Sequence, residues 1–152
     1  MCKSLLFDEK TFYATFLADL EHAKHEVIIE SPFITTERMN SLWPSLVRLV
    51  NRGVEVYIVT RDPLEHSDGY EVQSEFEIQR LEANGVHVFI CVGNHHRKLA
   101  ILDRRVLWEG SLNILSQITS REIMRRIDSK DSALECFEFI GYSKYISSSK
   151  FG

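Results

Sequence analysis

Hydrophobic residues recur with two different periods along the chain, and their succession predicts helices separated by short strands. Phe12, Phe16 and Leu20 lie at helical spacing, whereas Val54, Val56 and Ile58 alternate with their neighbours as in a half-buried strand. The same reasoning predicts helices over 11–24, 35–51, 74–83 and 132–145, and strands over 26–30, 54–59, 86–92, 98–102, 106–108 and 122–127. Pro44 predicts that the second helix starts late or is kinked.

Strands that are separated by helices of about 10–15 residues indicate a mainly parallel sheet covered on both faces. The turn Asp103-Arg104-Arg105 joins the fourth and fifth strands as a hairpin, so the sheet is expected to be mixed. We therefore predict one α/β domain over residues 1–152, in which 146–152 form a frayed tail. The polar segment 61–73, which contains Pro63 and Gly69, is predicted to be a loop long enough to cover a site.

Composition places the chain among soluble folded proteins, and charge distribution adds a candidate binding region. It has 152 residues, 44% of them hydrophobic and 26% charged, and no apolar run approaches the roughly 20 residues that cross a bilayer. The net charge is −4, yet residues 95–130 hold eight Lys and Arg against four Asp and Glu. Such a local excess favours an anionic partner. Three cysteines without CxxC spacing favour a reducing cytoplasm, with Cys91 and Cys136 as core residues rather than disulfide partners.

Polar residues with strand spacing are concentrated in this basic region. His96 and Lys98 are two residues apart, so an extended backbone projects both side chains to one face. Ser111 and Asn113 have the same relation. If the two segments are neighbours, an imidazole, an ammonium, a hydroxyl and an amide converge, which are groups suited to bind and attack a phosphate.

The spacing of these residues resembles the signature of the phospholipase D superfamily. That signature is H-x-K-x4-D followed by G-S-x-N, and this chain has His96, Lys98 and Asp103, then Gly110, Ser111 and Asn113. The resemblance extends from about residue 12 to 145 and implies an αβα sandwich with a mainly parallel sheet. It also implies a phosphodiesterase that needs no metal or cofactor.

The resemblance assigns a role to each motif residue. His96 is expected to attack phosphorus and form a covalent phosphohistidine, while Lys98 and Asn113, supported by Ser111, bind the phosphate oxygens. Asp103 is expected to be a structural and electrostatic partner more than a reacting group. Glu122 lies where similar nucleases place a carboxylate that bonds the nucleophilic histidine, although a solvated acid at a strand edge is the alternative.

One motif supplies only one of the two histidines that the in-line displacement requires. A second histidine must protonate the leaving oxygen and later activate water, and no other histidine in the chain repeats the motif. A two-fold homodimer is the simplest way to bring two copies of His96 into one site. Short single-motif nucleases of the superfamily, which this chain resembles, work in that way.

Arginines in the basic region are candidate ligands for the phosphates that flank the scissile one. We predict Arg97, Arg104, Arg121 and Arg125 as substrate-binding residues, with solvated arginines or ion pairs with acids as the alternative. His95 should point away from His96 and have a structural role or lie at the substrate rim. In the polar loop, Tyr70 could stack on a base.

Three hypotheses about function follow from these observations. The first is a dimeric nuclease that cleaves DNA or RNA, with DNA as the favoured substrate. The second is a nucleic-acid-binding module that works beside a helicase or restriction partner, because the run 120–126 is similar to superfamily domains attached to bacterial DNA helicases. The third is a phospholipid hydrolase, although such enzymes normally carry two motifs and no membrane segment is visible here.

Overall fold

A computed structural model describes residues 3–67 and 69–146, in which seven strands form one mixed sheet flanked by four α-helices. The strands are β1 (Lys3–Asp8), β2 (Glu26–Glu30), β3 (Glu55–Arg61), β4 (His87–Cys91), β5 (Leu99–Leu102), β6 (Val106–Gly110) and β7 (Ile123–Asp128). The helices are α1 (Phe12–His22), α2 (Thr36–Asn51), α3 (Tyr70–Ala83) and α4 (Lys130–Ile140). Short 3₁₀ turns span Pro63–Glu65 and Tyr142–Lys144.

The order of strands across the sheet is β1-β7-β6-β5-β2-β3-β4. Strands β2, β3 and β4 are parallel to one another. The other neighbouring pairs are antiparallel, namely β2–β5, β5–β6, β6–β7 and β7–β1. This arrangement confirms the predicted mixed sheet and the hairpin between β5 and β6. The expectation of a mainly parallel sheet is wrong, because only two of the six described strand pairs are parallel. Asp103 and Arg104 in that hairpin turn both have positive φ, and the Arg105 N–H donates to the Leu102 carbonyl.

Helices cover both faces of the sheet, but unequally. Helices α1, α2 and α3 pack on one face around fully buried residues such as Phe12, Leu46 and Trp108. On the other face, α4 and the turn after it cover the middle of the sheet through Phe137 and Tyr142. Burial of these side chains is the main stabilising contribution to the sandwich.

Several predicted boundaries are wrong. Helix α2 spans Thr36–Asn51 and includes Pro44, so the late start predicted from Pro44 is wrong. The Thr35 hydroxyl caps its first turn by accepting from the Arg38 N–H. Helix α3 begins at Tyr70 rather than residue 74, so the predicted loop over 61–73 is shorter than expected.

The C-terminal predictions also need correction. Helix α4 ends before Gly141, whose φ of 88° is in the left-handed region that favours glycine. Ile146 is buried, so the predicted frayed tail does not include it. The remainder of that predicted tail, 147–152, lies outside the described residues.

Strand β1 is absent from the sequence prediction. Its central leucines, Leu5 and Leu6, are both more than half exposed, so it lacks the buried–exposed alternation that indicates a strand. The strand exists because six consecutive residues pair with β7 at the edge of the sheet.

Candidate active site

All the motif residues except Asp103 lie at one end of the sheet, where β2 and β6 finish and where β5 and β7 begin. Leu99 at the start of β5 pairs with Glu30 and with Glu109, and Gly110 pairs with Met124. Antiparallel pairing therefore brings the segments that carry His96, Lys98, Ser111, Asn113 and Glu122 to the same end. The predicted convergence of the two motif segments agrees with this topology.

His96 and Lys98 contact each other directly. The Lys98 Nζ lies 2.8 Å from His96 Nδ1 and 2.8 Å from the His96 carbonyl oxygen. Burial and, after it, the positive charges of Lys98 and Arg61 lower the pKa of His96. Burial lowers the pKa of Lys98 too, while the nearby Glu122 charge opposes that shift. The lowered pKa of His96 favours the neutral imidazole, which is the nucleophilic form.

Gly110 and Ser111 hold the end of β6 close to the start of β7. A Cβ on Gly110 would lie 2.2 Å from the Ile123 carbonyl oxygen, so no larger residue fits without a backbone shift. The Ser111 hydroxyl accepts from the Ile123 N–H at 3.0 Å and is 3.4 Å from the Ile123 carbonyl oxygen. Ser111 therefore positions the loop after β6, and its side chain is exposed at the end of the sheet.

Asn113 has a buried amide oxygen that makes no hydrogen bond to any described residue. Its main-chain carbonyl accepts from the N–H groups of Ser116 and Gln117, which closes a tight turn. An unpaired buried acceptor is unfavourable in the free protein, and such groups mark places where a ligand completes the hydrogen bonding.

Asp103 does not reach the other motif residues. It follows β5, five residues from Lys98, which corresponds to about 16 Å along an extended strand. Its carboxylate accepts from the backbone N–H groups of Lys24, His25 and Glu26 at 2.8–2.9 Å. Asp103 thus fixes the start of β2, which corresponds to the structural role that the resemblance implies.

Glu122 lies near Lys98, and its carboxylate accepts from the Ser120 hydroxyl at 3.0 Å. The Nδ1 atom of His96 faces Lys98 instead. A bond between Glu122 and His96 is therefore not formed in this structure and stays a prediction for the substrate-bound state.

The four predicted substrate-binding arginines have different surroundings. Arg104 is buried, forms a two-pronged ion pair with Glu26 at 2.9–3.0 Å and stacks over the Phe137 ring. Its prediction as a substrate-binding residue is wrong, because the guanidinium is enclosed between β2 and α4. Arg97, Arg121 and Arg125 are exposed, and the first and last of these line a cavity together with His96.

Glu30 is a functional candidate that sequence reasoning missed. This fully buried carboxylate at the end of β2 accepts from the Tyr142 hydroxyl and from Arg97 Nε at 3.0 Å, and it lies 2.7 Å from His95 Nε2. Burial raises the pKa of Glu30, but the contacts with His95, Tyr142 and Arg97 bring it below its usual value. The available signal was an acidic residue that directly follows the apolar run 27–29 of a predicted strand.

The Glu30 contacts orient the segment before β5. His95 and Arg97 are held toward Glu30, so the alternate residues His96 and Lys98 project the other way. The prediction that His95 points away from the site agrees with this geometry.

An aromatic group borders the site on the side of α2 and α3. The Phe33 ring stacks on the buried His66 at 4.9 Å between centroids and lies 5.3 Å from the Tyr70 ring. It also meets the His96 ring edge-on at 6.3 Å. These residues come from separate loops and helix ends, and the sequence indicated a ligand contact only for Tyr70.

In the described part of the chain, one cavity borders His96 and Lys98 and another borders Asn113. One, of about 660 Å³, is lined by His96, Lys98, Arg97 and Arg125 and by the exposed apolar side chains Leu6, Ile123 and Phe139. The other, of about 340 Å³, is lined by Phe33, Tyr70, Asn113 and the loop that follows Asn113. Among the described residues, no group of three or more His, Cys, Asp or Glu side chains is arranged to hold a metal ion.

The mixed sheet and the histidine, lysine, serine and asparagine at its end define an αβα domain of the phospholipase D type. The model of the family described as "Cardiolipin synthase, PLD-like domain" matches residues 16–139, so the chain belongs to the phospholipase D-like family. No curated protein sequence matches the chain. None of the described helices is long and apolar enough to cross a membrane.

Solved structures share the fold at low sequence identity. Nuc from Salmonella typhimurium, a phospholipase D family member, is 18% identical with a TM-score of 0.73, and the match covers 91% of each chain. NucT from Helicobacter pylori is 18% identical with a TM-score of 0.68, covering 91% of this chain and 93% of that one. Phosphatidylserine synthase from Haemophilus influenzae Rd KW20 is 13% identical with a TM-score of 0.62, covering 91% of this chain and 38% of that one.

Proposed function

We propose that this protein is a metal-independent phosphodiesterase that cleaves nucleic acid through a covalent phosphohistidine on His96. The observation that carries the proposal is the direct contact of His96 with Lys98 at the sheet end that also holds Ser111 and Asn113. A neutral imidazole, a fixed cation and neutral donors are what a phosphoryl transfer without a metal needs.

The reaction has two displacements at phosphorus. First, the lone pair of His96 Nε2 forms a P–N bond while the bond from phosphorus to the leaving oxygen breaks, and a second imidazolium gives that oxygen a proton. Water then attacks phosphorus, gives its proton to the second imidazole, and the P–N bond breaks with its electron pair returning to His96. Lys98 and Asn113 stabilise the charge on the non-bridging oxygens in both steps.

Lys98 has to change partner before His96 can react. When its ammonium donates to Nδ1, the neutral ring carries its proton on Nε2, and that nitrogen cannot attack. A bound phosphate offers Lys98 a stronger acceptor, which releases Nδ1 to carry the proton. Glu122, already close to Lys98, is then the available carboxylate to accept from Nδ1.

A second copy of the chain is the proposed source of the second histidine. The larger cavity contains His96 and is bordered by Leu6, Ile123 and Phe139, which are 56%, 53% and 89% exposed. Apolar side chains with this exposure favour burial against a partner. A two-fold contact of this face would bring two His96 side chains together and cover these residues.

Nucleic acid is the favoured substrate because cations lie beside the reacting group. Arg97 and Arg125 line the same cavity as His96, where they can bind phosphates next to the scissile one. The matches to Nuc and NucT cover 91% and 93% of those chains respectively. The phosphatidylserine synthase, by contrast, is a much longer chain.

Cleavage in EDTA tests the proposed chemistry. Wild type, His96→Asn and the control His22→Asn should be assayed on single-stranded and duplex DNA, on RNA and on phospholipid vesicles. We expect the wild type and the control to cleave nucleic acid and His96→Asn to be inactive. Activity that EDTA abolishes and Mg²⁺ restores would contradict the mechanism. Tight binding without turnover would instead favour a binding module that works with a helicase or restriction partner.

Solution mass tests the shared site separately. We expect a dimer for the wild type and a monomer with little activity for Phe139→Glu, because a charge would be buried in the contact. Val72→Glu on α3 changes another largely exposed apolar residue, on the opposite face of the sheet, and should leave both properties unchanged. A fully active monomer would contradict the shared site.

A further inference from the structure

The smaller cavity beside the motif residues has a different chemistry from the larger one. It has a volume of about 340 Å³, and its lining includes Phe33, Tyr70, Asn113, Ser116, Gln117 and Thr119. None of the described lining residues carries a charge. The arginines and the lysine at the site line the other cavity. A phosphate would therefore be bound in the larger cavity, and the smaller one suits an uncharged group.

The lining combines ring faces with unpaired polar atoms. Phe33 and Tyr70 are tilted by 57° to each other, so they do not stack and a planar ligand can occupy a ring face. The Asn113 amide oxygen is buried and makes no hydrogen bond to any described residue, and a small rotation of this lining side chain would let it accept from a ligand N–H. A flat aromatic group with N–H donors matches both features, and a nucleobase is such a group.

The cavity is preformed, which limits the entropy lost on binding. The Ser31 hydroxyl accepts from the Leu115 N–H, and the Leu115 carbonyl accepts from the Thr35 N–H. At the other end of the loop, Gln117 Nε2 donates to the Ser120 carbonyl at 2.7 Å. These bonds fix the loop after Asn113 against the segment that carries Phe33.

We propose that this cavity binds an unpaired nucleobase next to the scissile phosphate, and this inference rests on the proposed nuclease function. Phe33 belongs to the cavity and is only 6.3 Å from the His96 ring, so a base on Phe33 belongs to a nucleotide that adjoins the reacting phosphorus. A base that is paired and stacked within a duplex presents neither of its faces to this cavity. The site therefore selects single-stranded or locally opened nucleic acid.

Equilibrium binding in EDTA tests the inference. Fluorescence anisotropy would compare a single-stranded oligothymidylate with an abasic oligonucleotide of equal length, using His96→Asn to prevent cleavage. We expect the oligothymidylate to bind between about fivefold and 150-fold more tightly, since one base stacked on a ring contributes that range. Tyr70→Ala should remove much of the difference, and Phe33→Leu should do so while retaining an apolar side chain under the cavity.

Phe76→Ala provides the matched control, because Phe76 is another exposed aromatic residue of α3 that does not line the cavity. It should leave the preference for bases unchanged. Equal binding of the two oligonucleotides, or a base preference that survives both Tyr70→Ala and Phe33→Leu, would overturn the inference. Vesicle binding that Tyr70→Ala weakens, without any base preference, would overturn it in favour of a lipid.

Cleavage of the abasic oligonucleotide by wild type in EDTA separates this inference from the proposed function. That substrate keeps the phosphodiester backbone and lacks the bases, so its cleavage reports the chemistry alone. Cleavage of both oligonucleotides at equal rates and affinities would overturn the nucleobase site and leave the phosphodiesterase intact. Base-selective binding with no cleavage of either would support the site and contradict the proposed chemistry.

Discussion

Asp103 offers a sharp test of the structural reasoning, because it belongs to the motif and yet lies away from the reacting groups. Replacement Asp103→Asn leaves one acceptor oxygen for the N–H groups of His25 and Glu26, both of which bond Oδ1. The new amide nitrogen then faces the Lys24 N–H, which bonds Oδ2 at 2.9 Å in the native protein. Two donors thus face each other where a charged acceptor stood.

The magnitude follows from those three bonds. Loss of one hydrogen bond to a charged, partly exposed group costs about 1.5 kcal/mol, and loss of charge from the other two adds roughly 0.5 kcal/mol. The free energy of unfolding should therefore fall by about 2 kcal/mol, and the melting temperature by about 4–8 °C for a domain of this size. Backbone strain does not explain such a loss, because asparagine tolerates the φ of 53° at this turn at least as well as aspartate.

The assay pairs thermal unfolding by circular dichroism with cleavage rates in EDTA well below the melting temperature. For Asp103→Asn we expect a lower melting temperature and a cleavage rate within about threefold of that of the wild type. The rate changes little because a small shift at the start of β2 is transmitted only weakly to His96. Asp131→Asn, the same change at an exposed residue in the first turn of α4, should alter stability by about 0.5 kcal/mol or less. A hundredfold loss of rate at unchanged stability would refute the reasoning.

Three other substitutions test further parts of the account. Arg61→Gln removes one cation that lowers the pKa of His96, so that pKa should rise and the acid limb of the pH–rate profile should move to higher pH. An unchanged acid limb would contradict the assignment of that limb to His96. Arg104→Met leaves Glu26 buried without its partner and should lower the free energy of unfolding by about 3–5 kcal/mol, measured by urea, while the DNA affinity of the folded protein stays the same. Arg125→Ala should reduce the slope of log Kd against log salt concentration by about one, and an unchanged slope would exclude a phosphate contact.

The sequence was sufficient for six of the seven described strands and for the motif residues at the end of the sheet. Strand periodicity predicts that His96 and Lys98 share a face, and the order of strands and helices predicts a mixed sheet between helices. Both are properties of short stretches of chain. The edge strand β1 escaped prediction because its stability depends on pairing with β7, more than 100 residues away, and not on a pattern of its own.

Burial of charged residues could not be read from the sequence. Arg104 resembles the exposed arginines around it, and only the fold places Glu26 and the Phe137 ring on either side of it. Glu30 likewise becomes a centre of contacts because the segment before β5 and the turn after α4 meet above it. Such partners are distant in the chain, so no local spacing indicates them.

The smaller cavity shows that local sequence patterns also miss groups that recognise a substrate. Tyr70 alone suggested a base contact, but the inference needs Phe33 and the unpaired Asn113 oxygen, which come from different segments. Their meeting depends on hydrogen bonds between the loop after Asn113 and the loop after β2. A motif can therefore predict the reacting groups, whereas the surfaces that select the substrate require the structure.

Trapping of the covalent intermediate tests the central claim most directly. Wild-type protein would be mixed in EDTA with excess oligonucleotide and quenched within the first turnover. The quench is basic because phosphohistidine is labile in acid, and the protein is then analysed by mass spectrometry. The account predicts a nucleotide adduct on the peptide that contains His96, absent in His96→Asn and retained in His22→Asn. Cleavage in EDTA with no adduct at His96, or with the adduct on another residue, would contradict it.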